Sequence, residues 1–121
     1  MSKQEDLLRI TGGIRRSIPE LHGVMIASID GLALAHDFPE SEAEAVAAMA
    51  ATALGLGQRI SERAKVGGLL EAVVRGQYGY FVVYGAGESA VLVMSGPTNA
   101  NLGLMRIEAR TAAAQITQVL N

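Results

Sequence analysis

Residues 42–65 read EAEAVAAMAATALGLGQRISERAK, and the reading of this stretch decides the fold. It forms one long helix with small side chains on almost every face. Val46, Met49, Ala53, Leu56 and Ile60 recur at spacings of three and four, laying one apolar stripe along the helix. Ala45, Ala48, Thr52 and Gly55 make a second row of small residues beside it. A surface helix of a lone copy needs one apolar face. A helix with two is covered twice, once by its own domain and once by something else, which we expect to be a second copy of the chain.

The flanking segments supply the rest of the fold. Ser2 and Glu5 have capping-box spacing, and Leu7, Ile10, Ile14 and Ile18 continue an apolar stripe until Pro19 stops it. Gly12 and Gly13 weaken the middle of this first helix. GVMIASI (23–29) and LALAH (32–36) flank Asp30-Gly31, a strong hairpin signal in which both turn residues take φ > 0. Ser41 and Glu44 form a second capping box before the long helix, which ends near Gly67-Gly68.

LLEAVVR (69–75), YGYFVVY (78–84) and SAVLVMS (89–95) follow. Gly76-Gln77 and Gly85-Ala86-Gly87-Glu88 between them are too short for crossovers, so the three runs form an antiparallel meander closed by Gly96-Pro97. Leu102, Met105, Ala109, Ala112, Ile116 and Val119 mark a final helix. The element order is α-β-β-α-β-β-β-α, an α/β (α+β) arrangement in one domain over residues 1–121. YFVVY and AVLVM are apolar without alternation, so helices cover both sheet faces: the long one on one side, the terminal pair on the other.

Composition excludes several function classes. Half the residues are hydrophobic while Trp is absent and aromatics are scarce, so the core is aliphatic. No run approaches the roughly 20 apolar residues of a membrane span, and MSKQEDLLRI lacks a signal-peptide h-region. The absence of Cys removes disulfides, thiol catalysis and Cys-ligated metals. These features lead us to expect a soluble cytoplasmic protein without membrane insertion. A net charge of −2 with no basic block argues against nucleic acid as a partner.

Catalytic motifs are weak. Gly87-Glu88-Ser89-Ala90-Val91 begins like a nucleophile elbow, but it lacks the final Gly and leads from a turn into a strand, where an elbow needs a strand-to-helix turn. His22 and His36 read as surface or loop residues without metal-ligand spacing. Neither GxxxxGK[ST] nor GxGxxG occurs, so we expect no enzyme activity and no cofactor, and any nucleotide must be held by a partner.

Charge sits at the ends of the long helix. Asp37, Glu40, Glu42 and Glu44 complement the helix dipole at its start, or form an acidic docking edge for a basic partner. Arg59, Arg63 and Lys65 carry the same ambiguity with reversed sign at its end. LLEAVVR opens the meander at a sheet edge with one mid-strand charge, Glu71, and Arg75 at its end. So bare an edge is covered by another element or pairs with another chain, and the doubly apolar helix favours pairing. The expected interface between copies comprises Ala45, Ala48, Met49, Thr52, Gly55 and Leu56 of the helix with Leu70, Glu71, Ala72 and Val73 of the strand. Glu40, Glu42, Glu44, Arg59, Arg63 and Arg75 are candidate contacts for a further partner.

Over essentially its full length the chain resembles the Roadblock/dynein light chain superfamily. SIPELHGVMIASIDGLALA (17–35) looks like that family's opening hairpin, with Glu20-Leu21-His22 as a departure in the first loop. AAMAATALGLGQRI (47–60) is similar to its Ala-rich helix. GPTNANLGLMRIEAR (96–110), with Asn101-Leu102-Gly103, resembles its strand–loop–helix ending. The resemblance implies a five-stranded sheet of order 2-1-5-4-3 and a homodimer in which the long helices pack together and the third strands join two sheets. Bacterial and archaeal members of this size act on Ras-like small GTPases, so the resemblance implies a homodimeric, non-enzymatic regulator of such a GTPase. A scaffold or light-chain subunit of a motor or sensor-kinase complex is the alternative. A small-molecule-sensing domain fits less well, because the core lacks the polar groups that converge in ligand pockets.

Overall fold

The computed structural model describes residues 2–121. Its elements are α1 (Lys3–Ser17), β1 (Gly23–Ser28), β2 (Ala33–His36), α2 (Glu40–Arg63), β3 (Ala72–Gly76), β4 (Gly79–Ala86), β5 (Ala90–Pro97) and α3 (Leu102–Leu120). The strands form one antiparallel sheet in the order β2-β1-β5-β4-β3, as expected.

The unbroken apolar runs are explained by a sheet buried on both sides. Along β5, Leu92 and Met94 join Val24, Ile26 and Val82 against α1 and α3, through Leu7, Ile14, Met105 and Ile116. The intervening Val91 and Val93 join Met25, Ala27 and Val83 against α2. Each central strand therefore needs an apolar side chain at every position.

The Ser2–Glu5 capping box forms as expected, with Glu5 N–H donating to Ser2 Oγ at 3.1 Å and Ser2 N–H donating to Glu5 Oε1 at 3.2 Å. These hydrogen bonds from the Ser2 backbone and hydroxyl hold the Glu5 carboxyl below its ordinary value. α1 runs unbroken through Gly12 and Gly13 because its packed face, Leu7, Thr11 and Ile14, outweighs their low propensity.

Four local expectations are corrected. α2 begins at Glu40, with Pro39 in the cap position and no side-chain cap bond, so Ser41 and Glu44 do not form a capping box. Proline's fixed φ and the first-turn carboxylates Glu40 and Glu42 start the helix instead. In the first hairpin only Gly31 takes a positive φ, +91°, and Asp30 does not. The connection spans residues 29–32, longer than a two-residue turn, and Ser28 organises it by accepting Leu32 N–H at its hydroxyl (3.0 Å) and donating its own N–H to the Leu32 carbonyl (2.8 Å).

The meander is shifted along the chain. Leu69, Leu70 and Glu71 precede β3, while Gly85 and Ala86 belong to β4 and the turn falls at residues 87–89. His36 is a strand residue with a largely buried side chain, its Nε2 3.4 Å from Glu40 and its Nδ1 buried without a partner; His22 is exposed.

Candidate interaction surface

α2 is turned differently from the expected stripe. The residues it buries are Ala43, Val46, Ala47, Ala50, Leu54 and Ser61, so its sheet-facing side is made mostly of alanine. Alanine lets the helix backbone approach the sheet closely; of the expected stripe only Val46 is buried there. Met49, Leu56 and Ile60 instead face outward, 54%, 55% and 57% exposed, while Ala53 is half-buried. Apart from buried Val46 and half-buried Ala53, the two apolar rows form one outer surface: Ala45, Ala48, Thr52 and Gly55 lie exposed beside the three large side chains.

Two close approaches fix how the helix is rotated. A side chain at Gly57 would stand 2.9 Å from Leu69 and 3.6 Å from Ala72, so this flank faces the entry to β3. Gly31 lies 3.5 Å, measured from the position of an added Cβ, from the Ala48 backbone, so the opposite flank faces the β1–β2 loop. Ala53 and Ile60 stand four and three residues from Gly57 and share its flank. The large apolar side chains therefore lean toward β3.

β3 has an open edge. Facing residues of an antiparallel ladder alternate between pairs that bond each other and pairs whose N–H and C=O point away. Gly76 and Gly79 flank the two-residue loop Gln77-Tyr78 as a bonded pair, so Val74 with Phe81 and Ala72 with Val83 bond likewise. Val73 and Arg75 consequently turn their N–H and C=O to the side where the sheet has no further strand. The same parity, carried across the sheet, turns the Ser89 and Ser95 carbonyls toward β1, where they accept from Ile29 and His22 N–H at 3.1 and 2.6 Å.

Arg75 is the one charge on β3, and the strand has little other edge protection. It has no proline, its register with β4 is unbroken, and Val73 and Val74 are both exposed. The opposite edge, β2, is four residues long, contains a bulge and is flanked by α1 and α2. Glu71 does not guard β3: it accepts from Arg106 Nε on α3 at 2.8 and 2.9 Å, and that contact raises the Arg106 pKa. Ala72 is half-buried against the α2 side, and Leu70 is 86% exposed just before the strand. On the α2 side of the sheet, Ala72 and exposed Val74 continue the apolar surface of the helix.

The charged candidates do not converge. Glu40, Glu42 and Glu44 are exposed at the start of α2, and Arg59 and Arg63 are exposed near its end. Glu44 and Arg59 are separated by about 22 Å of helix. Arg75 is exposed on β3. Asp37 leaves the acidic group altogether: it accepts Arg15 Nε at 2.7 Å and Val24 N–H at 2.8 Å, clasping α1 to β1 ahead of α2. Burial pushes the Asp37 carboxyl up, but those two hydrogen bonds together hold it below its ordinary value. Among the described residues, no group of three metal-ligating side chains is gathered, and no helix is long and apolar enough to cross a membrane.

The expected interface between copies omits Ile60, Val66 and Val74, which are exposed large apolar side chains. The signal for Ile60 was present in the alanines at 43, 47 and 50, whose spacing marks the tightly packed side.

An open apolar strand edge beside an outward-facing apolar helix is the arrangement expected of one family, and its model, described as the Roadblock/LC7 domain, matches residues 14–95. The chain belongs to the Roadblock/LC7 family. An uncharacterized protein of Methanocaldococcus jannaschii is 36% identical over 95 residues, which cover 78% of this chain and 80% of that protein. A Roadblock/LC7 domain from Streptomyces avermitilis superposes with a TM-score of 0.87 at 20% identity, covering 93% of this chain and 96% of that one. MglB in a tetrameric arrangement superposes with a TM-score of 0.86 at 19% identity, covering 98% and 90%. At these identities the two structures establish the shared fold.

Proposed function

We propose that this Roadblock/LC7 protein is a homodimer that binds a Ras-like small GTPase and adjusts its nucleotide cycle. The observation that carries the dimer is the open β3 edge lying beside the outward apolar flank of α2. Val73 and Arg75 of two copies pair across a two-fold axis, making one continuous sheet, and Met49, Leu56 and Ile60 of both copies meet above it. The tetrameric arrangement described for MglB is self-association on the same fold and supports this reading.

The GTPase reading rests on family membership. GTP chemistry stays in the partner, and the dimer acts by ordering the partner's switch segments. An interface of standard size, roughly 1,200–2,000 Å² in total, fits beside the paired helices. Glu40, Glu42 and Glu44 at one end and Arg59, Arg63 and Arg75 at the other guide orientation and association rate more than affinity.

A regulator must distinguish the partner's states, because only differential affinity shifts an equilibrium. Calorimetry with the candidate GTPase loaded with GDP or with a non-hydrolysable GTP analogue is expected to show preference for one state. A single-turnover assay is expected to show an altered hydrolysis rate. Equal affinity and an unchanged rate would reduce the role to that of a scaffold.

A further inference from the structure

A cleft of about 520 Å³ lies where the 64–71 connection passes between the end of α2 and the middle of α3. Its volume falls in the range of small-ligand sites, roughly 300–1,000 Å³. The walls are apolar, from Ala109 and Ala113 of α3 with Val66 and Leu70 of the connection, and both of these last two are largely exposed. Tyr84 also lines the cleft, and its hydroxyl is buried without a hydrogen-bond partner. A buried polar group in that condition is costly unless something completes it.

Two guanidinium groups stand at the same cleft. Arg106 gives only its Nε to Glu71, which leaves its terminal nitrogens without an acceptor among the described residues. Arg110, one turn further along α3, is exposed and has no acidic partner among the described residues. Counting Glu71, the cleft holds one excess positive charge. Burial pushes the Tyr84 hydroxyl above its ordinary value, and the Glu71 carboxylate adds to that, so the group stays protonated and able to donate.

From the pairing of one excess positive charge and a free donor with an apolar wall, we infer that this cleft binds a small carboxylic acid with a hydrocarbon tail. The carboxylate lies against Arg110 and the terminal nitrogens of Arg106, within reach of the Tyr84 hydroxyl, and the tail covers Val66 and Leu70. A single net charge suits a monoanion better than a phosphate, and the cleft offers no helix N-terminus to add further donors. This inference is independent of the GTPase reading and is tested without a GTPase.

Octanoate is the probe, with 1-octanol supplying the tail without the charge and acetate the charge without the tail. Titration followed by the methyl resonances of Ala109 and Ala113 is expected to show saturable binding of octanoate alone. Arg110→Gln, an exposed position that leaves the fold intact, is expected to weaken octanoate about tenfold or more. Tyr84→Phe is expected to weaken it several-fold; a hydroxyl that is merely buried would leave binding unchanged. Octanol binding as tightly as octanoate, or indifference to Arg110→Gln, would overturn the proposal. So would a cleft already filled by a second copy, seen as absence of octanoate binding by a species that light scattering shows to be dimeric.

Discussion

Asp37 shows how a single side chain can be misassigned by its neighbours in sequence. Four residues with negative charge run from 37 to 44, and the local reading groups them. The fold separates Asp37 by giving it Arg15 from one direction and the Val24 N–H from another. Arg15 also donates to the Leu21 and Pro19 carbonyls, so this one contact ties the end of α1 to the loop before β1. Asp37→Ala should cost about 1–3 kcal/mol, because it leaves a backbone N–H and a guanidinium without their acceptor. Chemical denaturation checks it. The sign of the pH dependence follows from the depressed Asp37 value. Its contribution is fully present above the unfolded-state carboxylate value and is lost as pH falls through the lower folded one. Asp37→Asn should therefore flatten the acid limb of the stability curve, and an unchanged acid limb would remove Asp37 from the account.

At the scale of elements, α2 and β3 carry the argument. That α2 is a helix, and that it has more apolar surface than one domain can cover, are both legible in its sequence. Which side faces inward is not, because hydropathy ranks Met, Leu and Ile as the core while packing against a sheet favours alanine at this distance. β3 is shorter at its start than the apolar run 69–75 suggests. Leu69 and Leu70 extend the apolar run of the strand, but Glu71 turns to Arg106 and the ladder begins only at Ala72. Leu56→Arg tests the helix: the change is exposed in a single copy, so far-ultraviolet circular dichroism should be unchanged while light scattering reports the mass of a monomer. A dimer of unaltered stability would exclude this face. Proline separates the two parities of β3. Val73→Pro should abolish association and spare the fold, whereas Val74→Pro removes a donor inside the hairpin and should cost the single chain roughly 1–3 kcal/mol.

For the whole molecule, element order, sheet coverage and chain family were readable because each rests on patterns that span many residues. The 2-1-5-4-3 order came from resemblance and is reproduced by the ladder registers. The cleft beside α3 was not readable, since Tyr84, Arg106 and Arg110 meet Val66 and Leu70 only through the path of the 64–71 connection. The two ends of the sheet also differ in a way that composition does not reveal: β2 is bulged and flanked by helices, while β3 is regular and carries only Arg75 as a charge. Joining two copies at β3 leaves β2 as the only kind of edge that meets solvent, which is the arrangement that limits further sheet growth.

The central claim is that β3 of one copy pairs with β3 of another. Native-state hydrogen exchange at the Val73 and Arg75 amides tests it most directly, because the ladder parity turns both away from β4, the one strand beside them among the described residues. The account predicts slow exchange at high protein concentration, approaching that of the neighbouring Val74 amide, and faster exchange on dilution or in Leu56→Arg. Rapid exchange at Val73 and Arg75 under every condition, with Val74 protected, would contradict it.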